Sequence, residues 1–508
     1  MCSNYVVSNE TTIQSDHFPI KLALQLKVKE QLKVPKTVTF RDIEHFNKDG
    51  FSSDLKLSYL CNVEYYSKLT LDGIVSLYNE TLTKLFEKHC PMVTKRYRPN
   101  HSKSVWYNSD LQGLKQKKRR FERLHKKRPN SNTLEDWKNA RNNYNKKLKN
   151  TRSKYYKNKI EKYAGNQKMF YKVVGKLTGY SHETVLPSHE NKTSLSEDFS
   201  LYFSEKTAKI RNSITNSGST NFINTTKRGE NLLENFEEIE LENLITVVSQ
   251  MNSKTCELDP LPTSVVKHFI SLLAPIILRI VNLSISTGKF PSELKHAVIT
   301  PVVKSKTKSK ENLSNYRPVS NLSFLSKIIE RVISIQLTRH VEGNQLYANH
   351  QSAYREHHSC ETSIYQVVSY LQQSMQEHKH VVLISLDCTS AFDTVDHDLL
   401  LKRLKFRGNV TNKALQLLSS YLAERTFSIK VENKMSKPRH VKYGVPQGSI
   451  LGPQFYNLYT SVLEDVITDC NTKLEMYADD ILMFFSFSEQ NEQEAKQQAN
   501  LCLKKVHQ

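Results

Sequence analysis

The spacing of hydrophobic residues changes along the chain and divides it into regions of different predicted structure. Residues 5–7 and 20–26 alternate between apolar and polar positions with a period of two, which predicts two short strands. From about residue 40 to residue 210 the pattern is helical and polar, with few glycines or prolines to interrupt it. Residues 212–235 are rich in Ser, Thr and Asn without periodicity, which predicts a flexible linker.

The second half of the chain has the pattern of a compact α+β domain. Amphipathic helices are predicted over residues 236–252 and 263–287, and strands and helices alternate from there to the end. The continuous aliphatic and β-branched residues at 381–387 predict a strand buried on both faces. This strand ends in Asp387, and a buried carboxylate needs a compensating partner such as a metal ion.

A second acidic group lies in a predicted hairpin. Residues 474–477 and 481–485 are strand-like and flank Ala478-Asp479-Asp480. If the hairpin and the strand that ends in Asp387 are neighbours in one sheet, three carboxylates converge, and such ligands suit Mg²⁺ with room left for substrate phosphates. The alternative is an ordinary polar turn, with Asp387 capping a loop, because Asp is a common turn residue.

The charge of the chain indicates a polyanionic partner. The formal net charge is +22, and residues 111–162 contain 19 Lys or Arg against four acidic residues. Aromatic residues recur in this stretch, which suits stacking on single-stranded nucleic acid; the alternative is a solvated helical hairpin with a small aromatic core. A membrane partner is not predicted, because the apolar run at 268–286 is broken by Pro275 and Arg279 and is typical of a buried helix.

The cysteines and the N-terminus indicate an intracellular protein. The 8 cysteines lie too far apart in sequence for a zinc knuckle or a redox pair, so reduced thiols are predicted. The first residues lack the charged and apolar regions of a secretory signal.

Five sequence blocks follow one another along the second half of the chain. They are Asn315-Tyr316-Arg317-Pro318-Val319-Ser320, Gln351-Ser352-Ala353-Tyr354-Arg355, Leu386-Asp387 with Ala391-Phe392-Asp393-Thr394-Val395-Asp396-His397, Gly444-Val445-Pro446-Gln447-Gly448-Ser449-Ile450-Leu451-Gly452-Pro453, and Tyr477-Ala478-Asp479-Asp480. In residues and in order these blocks resemble those of the reverse transcriptases of non-LTR retrotransposons, in particular the jockey-like members of that family. The resemblance covers roughly residues 255–508. It implies right-hand polymerase fingers and palm over 236–508, an antiparallel sheet with helices, preceded by a basic helical connector over 31–211.

The resemblance implies a catalytic site at the acidic residues. Asp387 and Asp479 would be the principal ligands of two Mg²⁺ ions, or of Mn²⁺, with Asp480 as the third carboxylate. Phe392 would be an aromatic gate against a ribose 2′-hydroxyl, or alternatively a core residue. The backbone amides of Ser390 and Ala391 would face the incoming triphosphate.

Other residues in the blocks have implied roles around that site. Lys304 and Arg317 would bind the triphosphate, Arg as a bidentate fork and Lys as a point charge. Gln447 would contact the incoming nucleotide or its template base, and Arg355 would contact the template. Asp393 and Asp396 are instead predicted to cap the helix at 398–406.

The start of the chain resembles the end of an apurinic-type endonuclease. Residues 1–30 contain Ser15-Asp16-His17, which matches the last catalytic block of that domain. The Glu and Asn that would bind the metal upstream are absent. Asp16 and His17 are therefore interpreted as a remnant without cleavage activity.

Two hypotheses on function follow from the resemblance. The first is an RNA-directed DNA polymerase with an RNA template, a DNA primer or target and deoxynucleoside triphosphates, present in nucleus and cytoplasm as a ribonucleoprotein. The second is an inactive, truncated relic that binds RNA or DNA, since the chain ends soon after Asp480 and the family's thumb would be mostly missing. The basic residues 115–120 also fit a nuclear signal, although they lie inside a predicted helix.

Overall fold

The computed structural model describes residues 4–7, 20–23, 36–97, 105–163, 165, 167–178, 186–189, 191–215, 231–254, 256–305, 307–468 and 472–507. The strands are β1 Asn4–Val7, β2 Ile20–Ala23, β3 Lys36–Arg41, β4 Met92–Tyr97, β5 His296–Val303, β6 Tyr316–Asn321, β7 His380–Asp387, β8 Thr426–Val431, β9 Lys434–Met435, β10 Arg439–His440, β11 Lys473–Tyr477 and β12 Asp480–Phe487.

The α-helices outnumber the strands. They are α1 Lys48–Leu57, α2 Val63–Tyr66, α3 Leu71–His89, α4 Ser109–Lys127, α5 Ser131–Lys162, α6 Gln167–Thr178, α7 Lys192–Thr215, α8 Leu241–Gln250, α9 Thr263–His268, α10 Ile270–Thr287, α11 Phe324–Gly343, α12 Cys360–Gln376, α13 His397–Phe406, α14 Asn412–Leu422, α15 Leu451–Thr460, α16 Val462–Thr468 and α17 Glu492–His507. The mixture of helices with antiparallel and mixed sheets confirms the predicted α+β class.

The chain forms two compact units. The basic unit comprises Met1–Asp42 and Met92–His182, and the main unit comprises Ile43–Pro91 and Glu183–Gln508. These boundaries differ from the predicted division at residue 211. The division fell inside α7, whose apolar side chains pack within the main unit and could not be assigned to it from periodicity alone.

The basic unit contains two strand pairs and a helical hairpin. β1 pairs with β2 and β3 pairs with β4, both antiparallel, so the two N-terminal strands are confirmed. β4 lies within the stretch predicted to be helical. Its sequence, MVTKRY, is too short and too polar to give a clear period of two.

α4 and α5 show that the basic stretch is helical, as predicted, and they form the hairpin named as one of its two interpretations. Asn108 and Asn130 cap their N-termini, and no described side chain of α5 is buried. Two aromatic residues of α5 contact α4. The Tyr144 ring lies 5.5 Å from Lys118 Nζ, and the Trp137 ring stacks on His125 at 5.9 Å. The hairpin therefore has a small aromatic seam and leaves most of its cationic surface in solvent.

The apolar run predicted to be a buried helix is α10, which lies in the core of the main unit. It is the one helix of the described residues that is long and apolar enough, by length and composition alone, to cross a membrane. Eight of its side chains are buried in the core, among them Leu273, Ile277 and Ile280. The helix ends at Gly288, which adopts a φ of 65° that suits glycine.

Two sheets of the main unit surround the predicted site. The first has the order β10-β8-β5-β6, with β9 also paired to β8. α7 covers this sheet through Phe199 and Phe203, and the Phe199 ring meets the Tyr316 ring edge-on at 5.0 Å. The second sheet is antiparallel, with the order β11-β12-β7.

The prediction that residues 381–387 are buried on both faces was wrong, although the strand itself is present. β7 is an edge strand whose residues alternate between partly buried and exposed positions. Aliphatic residues on both faces gave the pattern of a central strand, yet Leu383 is 48% exposed.

A buried carboxylate fixes the segment that leads into α15. Glu330 on α11 is fully buried, and its Oε2 accepts hydrogen bonds from the Ile450 amide at 2.7 Å and the Leu451 amide at 3.4 Å. Ser326 Oγ donates to its Oε1 at 3.1 Å. Burial raises the pKa of Glu330, while the Arg425 charge and these hydrogen bonds lower it. The carboxylate thus replaces the missing partners of a helix N-terminus.

We expect Glu330→Ala to lower the free energy of unfolding by roughly 2–5 kcal/mol, because it leaves the buried Ile450 and Leu451 amides without their acceptor and removes the negative charge that acts on Arg425. Denaturant unfolding measures this change. Glu330→Gln retains one acceptor and should lose less, whereas the exposed Arg331→Ala should stay within about 0.5 kcal/mol of the parent. Equal stabilities of Glu330→Ala and Arg331→Ala would contradict the role of the carboxylate.

Candidate nucleotidyl-transfer site

The antiparallel sheet brings the three predicted carboxylates to one end. Asp480 is the register partner of Asp387, and it also pairs with Tyr477 across the hairpin. Asp479 is adjacent to Asp480 in the turn. The two segments that are far apart in sequence are therefore neighbours in one sheet, as the sequence analysis required.

The turn that carries Asp479 is held from the side by a second segment. Ala478 has a φ of 60°, which is uncommon for a residue with a side chain. Gln351, only 1% exposed, accepts from the Ala478 amide through Oε1 at 3.1 Å, and the same oxygen accepts from the Ala353 amide at 2.9 Å. The Ser352 amide donates to the Met476 carbonyl at 2.9 Å. These contacts fix the turn without using either aspartate.

A buried glutamate anchors the strand that leads into the turn. Glu475 is 3% exposed, and its Oε1 lies 3.2 Å from His350 Nδ1 while its Oε2 accepts from Ser363 Oγ at 3.1 Å. The hydrogen bond to Glu475 raises the pKa of His350 more than burial lowers it. The network ties β11 to α12 and to the segment that contains Gln351.

The three carboxylates share one electrostatic environment. Burial is the main cause that raises the pKa of the Cys388 thiol, and the negative charges of Asp479, Asp387 and Asp480 raise it further. Within the described residues, no three His, Cys, Asp or Glu side chains already stand in a metal-binding arrangement. This is compatible with Mg²⁺, which is usually bound through one or two carboxylates, with waters and substrate phosphates completing its shell.

Phe392 belongs to an aromatic group beside the carboxylates. Its ring stacks on Tyr456 at 4.6 Å and meets the Tyr354 ring edge-on at 6.4 Å. The Asp479 charge contributes to the raised pKa of both tyrosines, after burial as the main cause. Phe392 is half-buried and packs against the core, so both alternatives for this residue, gate and core position, agree with its surroundings.

The residues before Phe392 form a tight turn. Ser390 has a left-handed φ of 57°, and the 3₁₀ turn Ala391–Asp393 follows it. The Asp393 amide donates to the Ser390 carbonyl at 2.8 Å. Successive residues of opposite handedness direct neighbouring amides toward one side, which is a backbone arrangement that binds anions.

The loop that carries Gln447 is fixed on two sides. The Val445 amide donates to the Phe392 carbonyl at 2.8 Å, and the Ser320 amide of β6 donates to the Gln447 carbonyl at 2.8 Å. Gly444 has a φ of 87°, and a Cβ there would lie 2.5 Å from the Asp393 carbonyl oxygen. The glycine is therefore required by close backbone approach.

Asp393 does not cap a helix, contrary to the sequence prediction. Its Oδ1 accepts from Gln447 Nε2 at 2.8 Å, whereas Asp396 caps α13 by accepting from the Leu399 amide at 3.0 Å, as predicted. Burial raises the pKa of Asp393 to about 6, against the opposing effects of the Gln447 hydrogen bond and two lysine charges. The Asp-Xaa-Xaa-Asp spacing gave no means of telling the two roles apart.

A group of cations faces this region. Lys304 lies at the end of β5, where its amide donates to the Asn315 carbonyl at 2.8 Å, and Arg317 follows on β6. Burial lowers the pKa of Lys304, and the charges of Lys206, Lys308 and Arg317 lower it further. None of these cations forms an ion pair within 4 Å with a described residue. The predicted Lys304 and Arg317 pair is thus part of a larger cationic group, and the Asp393 carboxylate interacts electrostatically with two of its lysines.

Lys206 on α7 was missed by the sequence analysis. It lines a cavity of about 210 Å³ together with Gln447 and Asp393. The cavity lies beside the sheet that carries Arg317. No motif marks Lys206, because α7 precedes the recognisable blocks and many lysines surround it in sequence.

The geometry does not favour a template contact for Arg355. Its Nε and Nη2 donate to the two oxygens of Glu342 at 3.1 and 3.0 Å, and its Nη1 donates to the carbonyls of Ala348 and Gln351, each at 3.2 Å. With its donors engaged in this way, the guanidinium supports the segment that clamps the acidic turn. Asp16 and His17, the predicted endonuclease remnant, lie outside the described residues.

Comparisons with known proteins find several polymerases that are similar to this chain. Residues 305–507 match the family model described as reverse transcriptase (RNA-dependent DNA polymerase). The chain is 33% identical over 202 residues to the probable RNA-directed DNA polymerase from transposon BS of Drosophila melanogaster, covering 39% of this chain and 22% of that protein. It is 29% identical over 252 residues to the probable polymerase from transposon X-element of the same fly, covering 49% and 27%.

A third relative is the RNA-directed DNA polymerase from mobile element jockey of Drosophila melanogaster, 32% identical over 182 residues, which cover 36% of this chain and 20% of the relative. The chain thus aligns with only about a fifth to a quarter of the length of these relatives. The match to the family model, residues 305–507, includes all three carboxylates and the Gln447 loop. Residues 305–507 are thus similar to reverse transcriptases, and the chain is similar to the RNA-directed DNA polymerases of several mobile elements.

Proposed function

We propose that the chain is an RNA-directed DNA polymerase that extends the 3′-hydroxyl of a DNA primer or target on an RNA template with deoxynucleoside triphosphates. The register of Asp480 opposite Asp387 carries the proposal, since it gathers three carboxylates at the end of one sheet inside the matched domain. Clustered carboxylates at a polar, partly exposed sheet end suit metal-assisted phosphoryl chemistry.

Asp387, Asp479 and Asp480 would hold two Mg²⁺ ions, or Mn²⁺ in their place. When bound, such a pair supplies activation of the primer hydroxyl and stabilisation of the leaving pyrophosphate. The chain's own part is to fix the acidic turn through Gln351 and to keep the aspartates unpaired with protein cations within the described residues.

The cationic group and the Ser390 turn would position the triphosphate. Arg317 offers a bidentate fork, and Lys304 and Lys206 offer point charges from two different elements. The amides of the Ser390-Ala391 turn would face the phosphates from the opposite chain segment. Phe392, stacked on Tyr456, would then lie where it can exclude a ribose 2′-hydroxyl.

The basic unit supports binding of RNA or DNA, which would accompany synthesis in an active polymerase and would be the sole function of an inactive relic. α4 and α5 present a cationic surface in solvent. Phosphate contacts by such a surface give affinity that depends on salt and little on sequence. A ribonucleoprotein of the chain with its template, present in nucleus and cytoplasm, is the form in which we expect both functions to operate.

The enzyme proposal is tested by primer extension on an RNA template with Mg²⁺. Asp479→Ala should reduce extension by at least about 10³-fold, equivalent to roughly 4 kcal/mol of transition-state stabilisation, because a metal ligand is lost. RNA affinity should stay nearly unchanged. The exposed Glu489→Gln is the charge-matched control. Extension by Asp479→Ala at the parent rate would refute the metal-site assignment, and absence of extension by the parent would favour binding alone.

The assignment of Lys206 is tested by steady-state kinetics. Lys206→Ala should raise KM for the nucleotide roughly 10–150-fold, because a charge-assisted contact to phosphate is worth about 1.5–3 kcal/mol. Lys206→Arg should restore most of the affinity. Lys209→Ala, on the same helix and paired with Glu205, is the control. Equal KM values for Lys206→Ala and Lys209→Ala would show that Lys206 does not reach the substrate.

The role of the basic unit is tested by the salt dependence of single-stranded RNA binding. Lys146 and Lys149 are exposed on α5. If both contact phosphates, their replacement by Ala should reduce the slope of log K against log salt by about 1.4, roughly 0.7 for each contact. Replacement of Lys48 and Lys56 on α1 is the matched control. An unchanged slope in the α5 variant would exclude this surface from RNA binding.

A further inference from the structure

The hydrogen bond between Gln447 and Asp393 constrains the chemistry that the nucleotide site can offer. Gln447 Nε2 donates to Asp393 Oδ1 at 2.8 Å. Both backbones are fixed: the Gln447 carbonyl is bound by the Ser320 amide, and Gly444 lies against the Asp393 carbonyl. The fold therefore holds the two backbones in positions from which the Gln447 and Asp393 side chains form this hydrogen bond.

A carboxylate accepts hydrogen bonds and cannot donate them. The amide nitrogen of Gln447 must therefore face Asp393, and the amide oxygen must point away from it. Gln447 Oε1 has no partner among the described residues and is not one of their buried, unsatisfied polar atoms. An acceptor is thus left open to a ligand beside the Phe392 turn.

We propose that Asp393 is a specificity-determining positioning residue, whose carboxylate fixes the Gln447 amide so that its oxygen accepts from a donor group on the incoming nucleotide. This inference rests on the proposed function. The donor is either a sugar hydroxyl or a base amino group, since both can donate a hydrogen bond to the Gln447 oxygen. Without Asp393 the amide can rotate and offer either end, so the site loses its preference for a donor.

The surroundings keep Asp393 ionised at neutral pH. Lys206 from α7 and Lys304 from β5 oppose the effect of burial on its pKa, which is about 6. Arg425 and His440 line the same cavity. Below about pH 6 the protonated carboxyl can donate to Gln447 Oε1, which turns the amide nitrogen toward the nucleotide and reverses the preference.

The test measures single-nucleotide incorporation and equilibrium nucleotide binding by the full chain on a primer-template. Three substrates are compared: a natural deoxynucleotide, its 3′-deoxy analogue, and an analogue without the exocyclic base amine. In Asp393→Asn, the parent's discrimination against one of the two analogues should fall by roughly 2–10-fold, the value of one neutral hydrogen bond. The analogue affected identifies the donor.

The controls separate positioning from charge and folding. Asp398→Asn removes the same charge from the exposed start of α13. It should leave the discrimination against both analogues unchanged. The parent's discrimination against the affected analogue should also fall between pH 7 and pH 5.5, because Asp393 becomes protonated over that range. That of Asp393→Asn should not change with pH. Thermal unfolding checks that the variants are folded.

Two outcomes would overturn the inference. The first is that discrimination against the analogues is unchanged in Asp393→Asn but changed in Gln447→Ala, which would show that Gln447 acts without Asp393. Unchanged ratios in both variants would show that neither residue selects the substrate. If the parent binds nucleotide but does not incorporate it, the polymerase proposal fails, while the binding ratios still decide the role of Asp393.

Discussion

The main unit depends on a pairing that is unfavourable by itself. Asp480 lies directly opposite Asp387 in an antiparallel pair, where like charges destabilise a sheet. The register is nevertheless fixed over the whole length of β7 and β12, because apolar residues such as Ile384 and Met483 pair along it and slippage by one position would expose them. The repulsion is thus concentrated at one sheet end. Such an end is stabilised most by bound cations, so the same pairing that costs stability suits the metal site proposed above.

Buried carboxylates support this arrangement from three sides. Glu475 anchors β11, Glu330 fixes the entry to α15, and Asp393 holds the amide of Gln447. Each accepts from backbone or side-chain donors of a neighbouring segment, so each defines a position more sharply than an apolar contact could. The cost is desolvation, and it is visible in the raised pKa values of Glu330 and Asp393, for which burial is the first cause. The segments around the site are therefore held by hydrogen bonds, whose donors and acceptors must meet in a defined geometry.

The sequence predicted the parts of the site that a local pattern encodes. The hairpin at 474–485 and the strand that ends in Asp387 have clear periodicity, and their meeting followed from the ordered blocks. Burial of β7 was overestimated because aliphatic residues on both faces do not reveal an edge position. Asp393 was taken for a cap because its acceptor function is visible in sequence but its partner, Gln447, is 54 residues away. Arg355 was assigned to the template for the same reason, since its partner Glu342 cannot be inferred from the motif. A local sequence pattern does not reveal a contact with a residue that is distant in sequence.

The match to the reverse transcriptase family model begins at residue 305, whereas the main unit of the structure includes residues that precede it. α7 packs Phe199 and Phe203 into the sheet that carries Arg317, and it directs Lys206 into the cavity shared with Gln447 and Asp393. Removal of α7 would expose the apolar face of that sheet as well as remove a cation. The Lys206 charge therefore acts on Lys304 and Asp393 from outside the matched segment, and no recognisable motif marks it. In this chain, the proposed nucleotide site thus depends on a helix that comparison of the matched segment alone does not include.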